Sequence, residues 1–230
     1  MGKILNSKSC EECFCRKVIF TKLTEEELDL IHLDRYQVAY NAGEIIFKQG
    51  SPAPHFFCIT SGMAKIYIEG LEKNVILALV KPVEYIFGPG VYSDERHHFS
   101  AAAVEDSTAC LVDMNIFKRL IRQNPGFVEE FIQRISLQMI SHYEHAISLT
   151  QKQMPGRIAD TLYYLSEKIY KQNPFEMTIS RQELSDLAGM SKESSIRILK
   201  EFKDEGILEI NGNSFHIVKP EQLRQICETG

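Results

Sequence analysis

The 230-residue chain is 44% hydrophobic and carries a formal net charge of −5 at pH 7. This length and apolar content suffice for two modest domains with buried cores, so intrinsic disorder is not the default expectation. The net charge argues against non-specific adhesion to nucleic acid, and no run approaches the roughly 18 apolar residues of a membrane helix. Because the N-terminus also lacks the apolar core of a signal peptide, we expect a cytoplasmic protein without membrane contact.

Cysteines are the first notable feature along the chain. Three of the six fall within six residues, at Cys10, Cys13 and Cys15. A cytoplasmic setting favours thiols, metal ligands or redox sensors over a framework of disulfides. For Cys58 and Cys110 the surrounding pattern predicts small apolar residues within strands.

Short β-type runs separated by glycines follow, from about Tyr36 to Val112. The runs include Glu44–Phe47, His55–Thr60 and Ala64–Ile68, and turn-prone Ser51-Pro52 lies beside them. Strands at such regular, short spacing predict an antiparallel sandwich or roll.

Two helices are predicted next. Asn115 is expected to cap a short helix that ends at Gln123, and Asn124-Pro125-Gly126 separates it from a longer one. In the longer helix, six residues recur at alternating spacings of three and four: Ile132, Ile135, Met139, His142, Ala146 and Leu149. Such a stripe fits a helix packed on its own domain, but its position between two domains favours a dimeric coiled coil.

The C-terminal domain is predicted to start at Pro155-Gly156. Ser180 and Glu183 have the spacing of a capping box, and Gly189 can end the helix that they open. Ser191 can cap the next helix, whose apolar residues Ile196, Leu199 and Phe202 are expected to face inward. Two short helices joined by a tight glycine turn indicate a helix-turn-helix.

Such a motif inserts the start of its second helix into the major groove. The candidate base-reading residues are Lys192, Glu193 and Arg197, because arginine can bond guanine and glutamate can accept from cytosine. The candidate phosphate contacts are Arg181, Ser194 and Lys200.

A predicted hairpin around Asn211-Gly212 completes this domain as a wing. Many three-helix bundles are merely structural, but the capping box, the glycine turn and the wing together favour DNA binding.

Two passages now resemble the CRP/FNR family of bacterial transcription regulators. AGEIIFKQGSPAPHFFCITSGMAKIY is similar to its β-roll, and SRQELSDLAGMSKESSIRILKEFKDEGIL is similar to its helix-turn-helix. The resemblance covers nearly the whole chain and implies an α+β fold with an antiparallel, jelly-roll-like β-roll, a long dimerisation helix and a winged helix-turn-helix. The implied segments are a cysteine-containing segment at 1–22, the effector-sensing roll at 23–124, the dimerisation helix at 125–153 and the DNA-binding domain at 154–230. The resemblance also implies a homodimer on palindromic double-stranded DNA, with RNA polymerase as a further partner.

Family members that bind cyclic nucleotides hold them with a Phe-Gly-Glu turn and a later arginine. Here the turn reads Phe87-Gly88-Pro89, and the arginine position falls near Ser100. Arg96 and His97 are the remaining sources of a cation. Because a buried phosphate without a cation is poorly compensated, cyclic AMP is not expected. The effector pocket is predicted at Phe87, Gly88, Ser100 and Ala101.

Other family members hold an oxygen-labile iron–sulfur cluster with N-terminal cysteines and one roll cysteine. Cys10 and Cys13 have the C-x-x-C spacing, and Cys110 falls at the matching roll position. Cys15 departs from the pattern, but residues two apart in an extended chain share a side, so Cys13 and Cys15 can both ligate. A cluster, a zinc site and thiols without a role remain open as alternatives.

Histidines offer a third sensor. His142 and His145 are three apart on the long helix, and His97-His98 lie in the roll, which leaves haem or metal ligation open. A histidine at a heptad core position is more often a polar residue that sets register.

We therefore expect a dimeric DNA-binding regulator. The alternative is a metal-binding redox protein centred on the cysteine group, whose winged helix makes protein contacts. An enzyme is not expected, because no nucleophile elbow, P-loop or zinc-hydrolase motif is present.

Overall fold

The computed structural model describes residues 2–5, 16, 18–71 and 73–230, which divide into two units. The first unit comprises the described part of Met1–Glu69 together with Ala78–Met139. The second comprises the described part of Gly70–Leu77 together with Ile140–Gly230. A short segment that reaches into one strand of the roll is thus part of the same unit as the C-terminal part of the chain.

Within the described ranges, nine strands follow the glycine-separated runs of the sequence and its N-terminus. They are β1 Lys3–Leu5, β2 Tyr36–Tyr40, β3 Ile45–Phe47, β4 His55–Ser61, β5 Ala64–Ile68, β6 Val75–Val80, β7 Tyr85–Ile86, β8 Ser100–Ala103 and β9 Ser107–Asp113. They form two sheets, in the orders β1-β2-β9-β4-β7 and β3-β8-β5-β6, and the registered pairs are antiparallel. The predicted antiparallel roll is confirmed.

Helices with described bounds accompany these strands. They are α1 Glu25–Asp34, α2 Gly90–Ser93, α3 Met114–Gln123 and α4 Pro125–Gln151. The expected cap of α3 was wrong by two residues, because the Asp113 carboxylate accepts from the amides of Asn115 and Ile116 at 2.7 and 3.3 Å. The last residue of β9 thus also starts the helix, which leaves no loop between them.

Aromatic side chains form the core between one face of the five-stranded sheet and the helices. Phe117 of α3 stacks on Phe56 of β4 at a centroid distance of 4.4 Å and meets Phe131 of α4 at 5.0 Å. All three side chains are buried. Since burial of one such side chain contributes about 1.5–3 kcal/mol, this cluster fixes the first turns of α4 on the roll.

The second unit contains the C-terminal elements. They are α5 Met154–Tyr163, a π-helical segment Tyr164–Tyr170, β10 Phe175–Glu176, α6 Arg181–Leu187, α7 Lys192–Asp204, β11 Leu208–Asn211, β12 Ser214–Ile217 and α8 Pro220–Thr229. Pro155 lies in the first turn of α5 instead of separating elements, since a first-turn residue needs no amide hydrogen. No helix in the described ranges is long and apolar enough to span a bilayer.

Candidate nucleic-acid interface

The turn between α6 and α7 has the predicted local structure. Ser180 accepts from the amide of Glu183 at 3.2 Å, and the Glu183 carboxylate accepts from the amide of Ser180 at 2.8 Å. Gly189 has a φ of +62°, a conformation that costs a residue with a side chain about 1–2 kcal/mol. Ser191 accepts from the amide of Ser194 at 3.2 Å and opens α7. The capping box, the glycine turn and the second cap are confirmed.

The inward face of α7 differs from the expected one at one residue. Ile198, Leu199 and Phe202 are buried, but Ile196 is 47% exposed. Ser195 takes the inward position instead, because it lies one turn before Ile198 and Leu199. The prediction for Ile196 was wrong, since a run of mixed residues fixes a helix face only to within about one position.

The three candidate base-reading residues are exposed on α7. Glu193 and Arg197 are four apart and therefore share a face of the helix. The Arg197 guanidinium pairs with Glu201 one turn further along, at 2.8 Å. Because both partners of this ion pair are about half exposed, the guanidinium can leave it for another acceptor at little cost.

Arg181 is committed to a contact that the sequence does not reveal. Its guanidinium donates to the carbonyl oxygen of Gly212 at 2.6 Å and lies over the Phe215 ring, 4.4 Å from the centroid. Burial lowers its pKa from the usual value. Arg181 thus binds α6 to the turn of the wing, a role for which no local sequence pattern exists.

The other two candidate phosphate contacts lie on α7. Lys200 is exposed, and the half-buried Ser194 hydroxyl accepts from Ser191 at 3.1 Å. The wing itself is a hairpin of β11 and β12 in which Gly212 has a φ of +61°. Its two-residue turn is Gly212-Asn213, one position later than predicted, because Asn211 ends β11.

Backbone carbonyls around the glycine turn accept from residues outside the helix-turn-helix. The Gly189 oxygen accepts from Lys73 at 2.9 Å and from Arg157 at 3.3 Å. His145 of α4 lies 2.9 Å from the Leu187 oxygen through Nε2 and 3.3 Å from the Leu77 oxygen through Nδ1. Both ring nitrogens of His145 thus face backbone carbonyls, a geometry unsuited to the metal ligation left open for it.

In the first unit, one of the predicted effector residues, Ser100, lies beside a carboxylate. Ser100 donates to the Glu69 carboxylate at 2.7 Å and accepts from the amide of Gln49 at 2.8 Å. Gly88 lies against Phe99, whose ring carbon would be 3.0 Å from an added Cβ. Ser100, the position at which the resemblance implies the phosphate-binding arginine, thus has a carboxylate as its partner, and a negative charge there would repel a phosphate.

Neither proposed substitute cation supplies that charge. His97 is buried and stacks on Phe47 at a centroid distance of 3.6 Å. Burial lowers its pKa to about 4, so the ring is neutral near pH 7. Arg96 is exposed and donates to the carbonyl oxygen of Gly50 at 2.6 Å. These positions disfavour cyclic AMP on geometric grounds.

Both parts of the chain resemble known sequences and structures. The sequence model of the cyclic nucleotide-binding domain family matches residues 37–124. The sequence model of the Crp-like helix-turn-helix domain family matches residues 156–226. The transcriptional activator protein anr of Pseudomonas aeruginosa is 24% identical over 228 residues, covering 96% of this chain and 93% of its own. The electron transport regulator A of Shewanella oneidensis is 27% identical over 192 residues, covering 80% and 76%.

The chain belongs to the CRP/FNR family of transcription regulators. Among solved structures, FixK2 from Bradyrhizobium japonicum has a TM-score of 0.76 at 18% identity and covers 84% of this chain and 96% of its own. The CooA mutant from Carboxydothermus hydrogenoformans has a TM-score of 0.74 at 16% identity, covering 98% of both. The curated relatives are transcription regulators, so the expectation of a regulator that is not an enzyme is confirmed.

The α4 helix of this CRP/FNR chain carries an exposed apolar stripe. Of the predicted seam, Ile132, Met139 and Ala146 are exposed, whereas Ile135, His142 and Leu149 are half-buried. Three residues outside the predicted set complete the exposed stripe: Ile140, Tyr143 and Ile147. Their spacing of three and four residues was present in the sequence, as a second series offset from the first.

The cysteine group of this family member is only partly described. Cys10, Cys13 and Cys15 lie outside the described residues, and Cys110 is a buried residue of β9. Within the described ranges, no group of three or more His, Cys, Asp or Glu residues has the arrangement of a metal site. The alternative of a metal-centred redox protein therefore gains no support from the described residues.

Proposed function

We propose that this CRP/FNR regulator binds a dyad-symmetric duplex as a homodimer. The observation that carries the proposal is the arrangement of α7, whose buried face is fixed by Ile198, Leu199 and Phe202 while Glu193 and Arg197 project from the exposed side. A helix fixed in this way presents its first turns to the edges of bases in the major groove.

Base reading is assigned to Lys192, Glu193 and Arg197. Arginine can donate two hydrogen bonds to one guanine, and glutamate can accept from cytosine, so a G·C pair in each half-site is expected. Arg181, Ser194 and Lys200 are assigned to phosphates. The hydrogen bond from Arg181 to Gly212 keeps the positive charge of Arg181 beside the wing turn. A phosphate contact at that place would position the protein on the duplex.

Dimer formation is assigned to the apolar stripe of α4. Exposed apolar residues at spacings of three and four on a long helix are typical of a coiled-coil seam. Large exposed apolar patches are uncommon on monomers, which supports a second copy of the chain as the occupant. Two copies related by a two-fold axis would present two recognition helices to one face of DNA. RNA polymerase is a further proposed partner at the promoter.

Control by a signal in the roll completes the proposal. The ligand-facing residues are assigned as Phe87, Gly88, Ser100 and Ala101, and the signal as a small molecule or a redox change other than cyclic AMP. Glu69 beside Ser100 supports a ligand without a phosphate at that position. Such a signal can shift DNA binding only if it favours one arrangement of the dimer over another.

The test is selection of binding sites from a pool of random duplexes, followed by affinity measurements on the recovered sequence. We expect a dyad-symmetric site that is preferred over its scrambled version by a factor of about 10³ or more. Binding should weaken steeply with added salt, because phosphate contacts release counterions. Recovery of sequences without any shared motif would contradict the proposal.

A further inference from the structure

Two cysteines lie directly opposite each other on neighbouring strands. Cys58 of β4 and Cys110 of β9 are register partners. The amide of Ile59 donates to the carbonyl oxygen of Glu84 at 2.9 Å, and the carbonyl oxygen of Ile59 accepts from the amide of Val83 at 2.8 Å. Both groups of Ile59 therefore point away from β9, towards the residues that precede β7. Because these groups alternate sides along a strand, those of Cys58 point at Cys110, and the two form a hydrogen-bonded pair. Such pairs have Cα atoms roughly 5.5 Å apart, within the roughly 4.4–6.8 Å that disulfides span.

Both thiols project from the same side of the sheet. Opposed residues of an antiparallel pair share a face, and Cys58 and Cys110 belong to one apolar cluster with Tyr85 and Phe131. Their Cβ atoms are expected roughly 4.5–5.5 Å apart, slightly more than a disulfide prefers, so bond formation requires a small approach of the strands. A bond formed under such tension is readily reduced again.

Cys110 is slightly more exposed than Cys58 and lies beside a positive charge. Cys110 is 6% exposed and Cys58 is 1% exposed. The guanidinium of Arg35 reaches Cys110, with Nη1 3.8 Å from Sγ. Arg35 is half-buried and directly follows α1, and its contact with Cys110 puts a positive charge beside this buried thiol. A positive charge next to a cysteine favours its reaction as a nucleophile.

We propose that Cys58 and Cys110 form a reversible dithiol–disulfide pair that hydrogen peroxide oxidises, with Cys110 as the attacking residue. The Cys110 sulfur bonds one peroxide oxygen, the O–O bond breaks, and protonation of the leaving oxygen releases water and a sulfenic acid. The Cys58 sulfur then attacks the Cys110 sulfur, the S–O bond breaks, and the hydroxyl leaves as a second water with the remaining thiol proton. Two thiols thus lose two electrons and two protons, and one peroxide becomes two waters.

The experiment treats the reduced full-length chain with hydrogen peroxide, blocks residual thiols with iodoacetamide in denaturant and identifies tryptic peptides by mass spectrometry. We expect the peptides 49–65 and 97–118 to be joined, and dithiothreitol to separate them. Cys227 serves as the internal control, because burial and the nearby Asp160 carboxylate raise its pKa to about 12. Its peptide should remain alkylated.

Two further variants test the order of attack. Trapping with dimedone should label Cys110 in Cys58→Ala, since the sulfenic acid then lacks its opposed cysteine partner. The same reagent should leave Cys58 unlabelled in Cys110→Ala. Labelling of Cys58 in Cys110→Ala would overturn the assignment of the attacking residue.

A third variant separates this pair from the N-terminal cysteines. In the chain carrying Cys10→Ser, Cys13→Ser and Cys15→Ser, the same cross-link should form. Absence of the 49–65 to 97–118 link in both this variant and the unsubstituted chain would overturn the proposal, as would a link from 97–118 to 9–16 alone. Because the link is also sought in the unsubstituted chain, the conclusion does not depend on the variants folding.

Discussion

The Arg197 guanidinium donates to the Glu201 carboxylate at 2.8 Å, one turn along the same helix. This pair holds the proposed base-reading side chain on the exposed face of α7 before DNA is bound. An exposed pair of this kind contributes only about 0–1 kcal/mol. The Arg197 guanidinium can therefore leave Glu201 and bind a guanine at little cost in free energy. The ion pair therefore leaves Arg197 available on the exposed face of α7 and does not prevent it from reaching a base.

Arg197→Ala is expected to weaken binding at the selected site by about 1–3 kcal/mol and to relax the preference at one G·C pair. The reason is the loss of two hydrogen bonds to one guanine. Competition binding with each single-base variant of the site measures both effects.

Two neighbouring substitutions act as controls for this result. Glu201→Ala removes the partner of Arg197 but leaves the reader, so affinity should change by less than about 1 kcal/mol. Lys200→Ala should weaken all sequences alike and reduce the salt dependence by about one counterion. A uniform loss on every sequence for Arg197→Ala would remove its proposed reading role.

Tyr143→Glu is expected to convert the dimer to monomers at micromolar concentration, because it puts a charge into the apolar stripe of α4. Leu137→Glu is the matched control. Leu137 is equally exposed but lies about 120° around the helix from Tyr143. Sedimentation equilibrium measures the state of each variant. Dimers in both variants, or monomers in both, would contradict the assignment of the seam.

The unfolding free energy should decrease as the pH falls from about 6.5 towards 4, and His97 should supply part of this decrease. Its folded-state pKa of about 4 lies below the usual value of 6.5, so the unfolded chain binds a proton first across this range. His97→Phe keeps the stacked ring on Phe47 and should flatten the pH dependence. Urea unfolding at several pH values measures it, and parallel curves for the two proteins would rule out the contribution.

Substitution of two buried serines of the helix-turn-helix by alanine is expected to change the unfolding free energy in opposite directions. No described group forms a hydrogen bond with the Ser195 hydroxyl, so Ser195→Ala should raise the unfolding free energy by up to about 1 kcal/mol. Ser185 donates to the carbonyl of Arg181 at 2.7 Å, and Ser185→Ala should lower the free energy by a similar amount. Thermal unfolding distinguishes them, and equal losses would contradict the account.

Local signals in the sequence were sufficient to predict the helix-turn-helix. The capping box of Ser180 and Glu183, the glycine turn and the cap at Ser191 each depend on residues within a few positions of one another. The same holds for the glycine-separated strands of the roll. Predictions of this kind succeed because the interactions that stabilise these features are formed by neighbours in the chain.

Features that depend on distant residues were not predictable. Nothing near Arg181 in the sequence indicates that it binds the wing turn at Gly212, and nothing near Ser100 indicates Glu69. The exposed stripe of α4 departs from the predicted series for a related reason, because Ile135 and Leu149 pack against their own chain while Tyr143 and Ile147 are exposed. Periodicity alone cannot tell which of two neighbouring apolar series is covered.

The most direct test of a dimeric DNA-reading regulator is the affinity for the selected dyad site with and without an insertion of about five base pairs between its half-sites. Half a helical turn of extra DNA puts the two half-sites on opposite faces of the duplex, where two recognition helices related by one two-fold axis cannot reach both. We predict that the insertion reduces the affinity to that of a single half-site. Equal affinity for both duplexes would contradict the central claim.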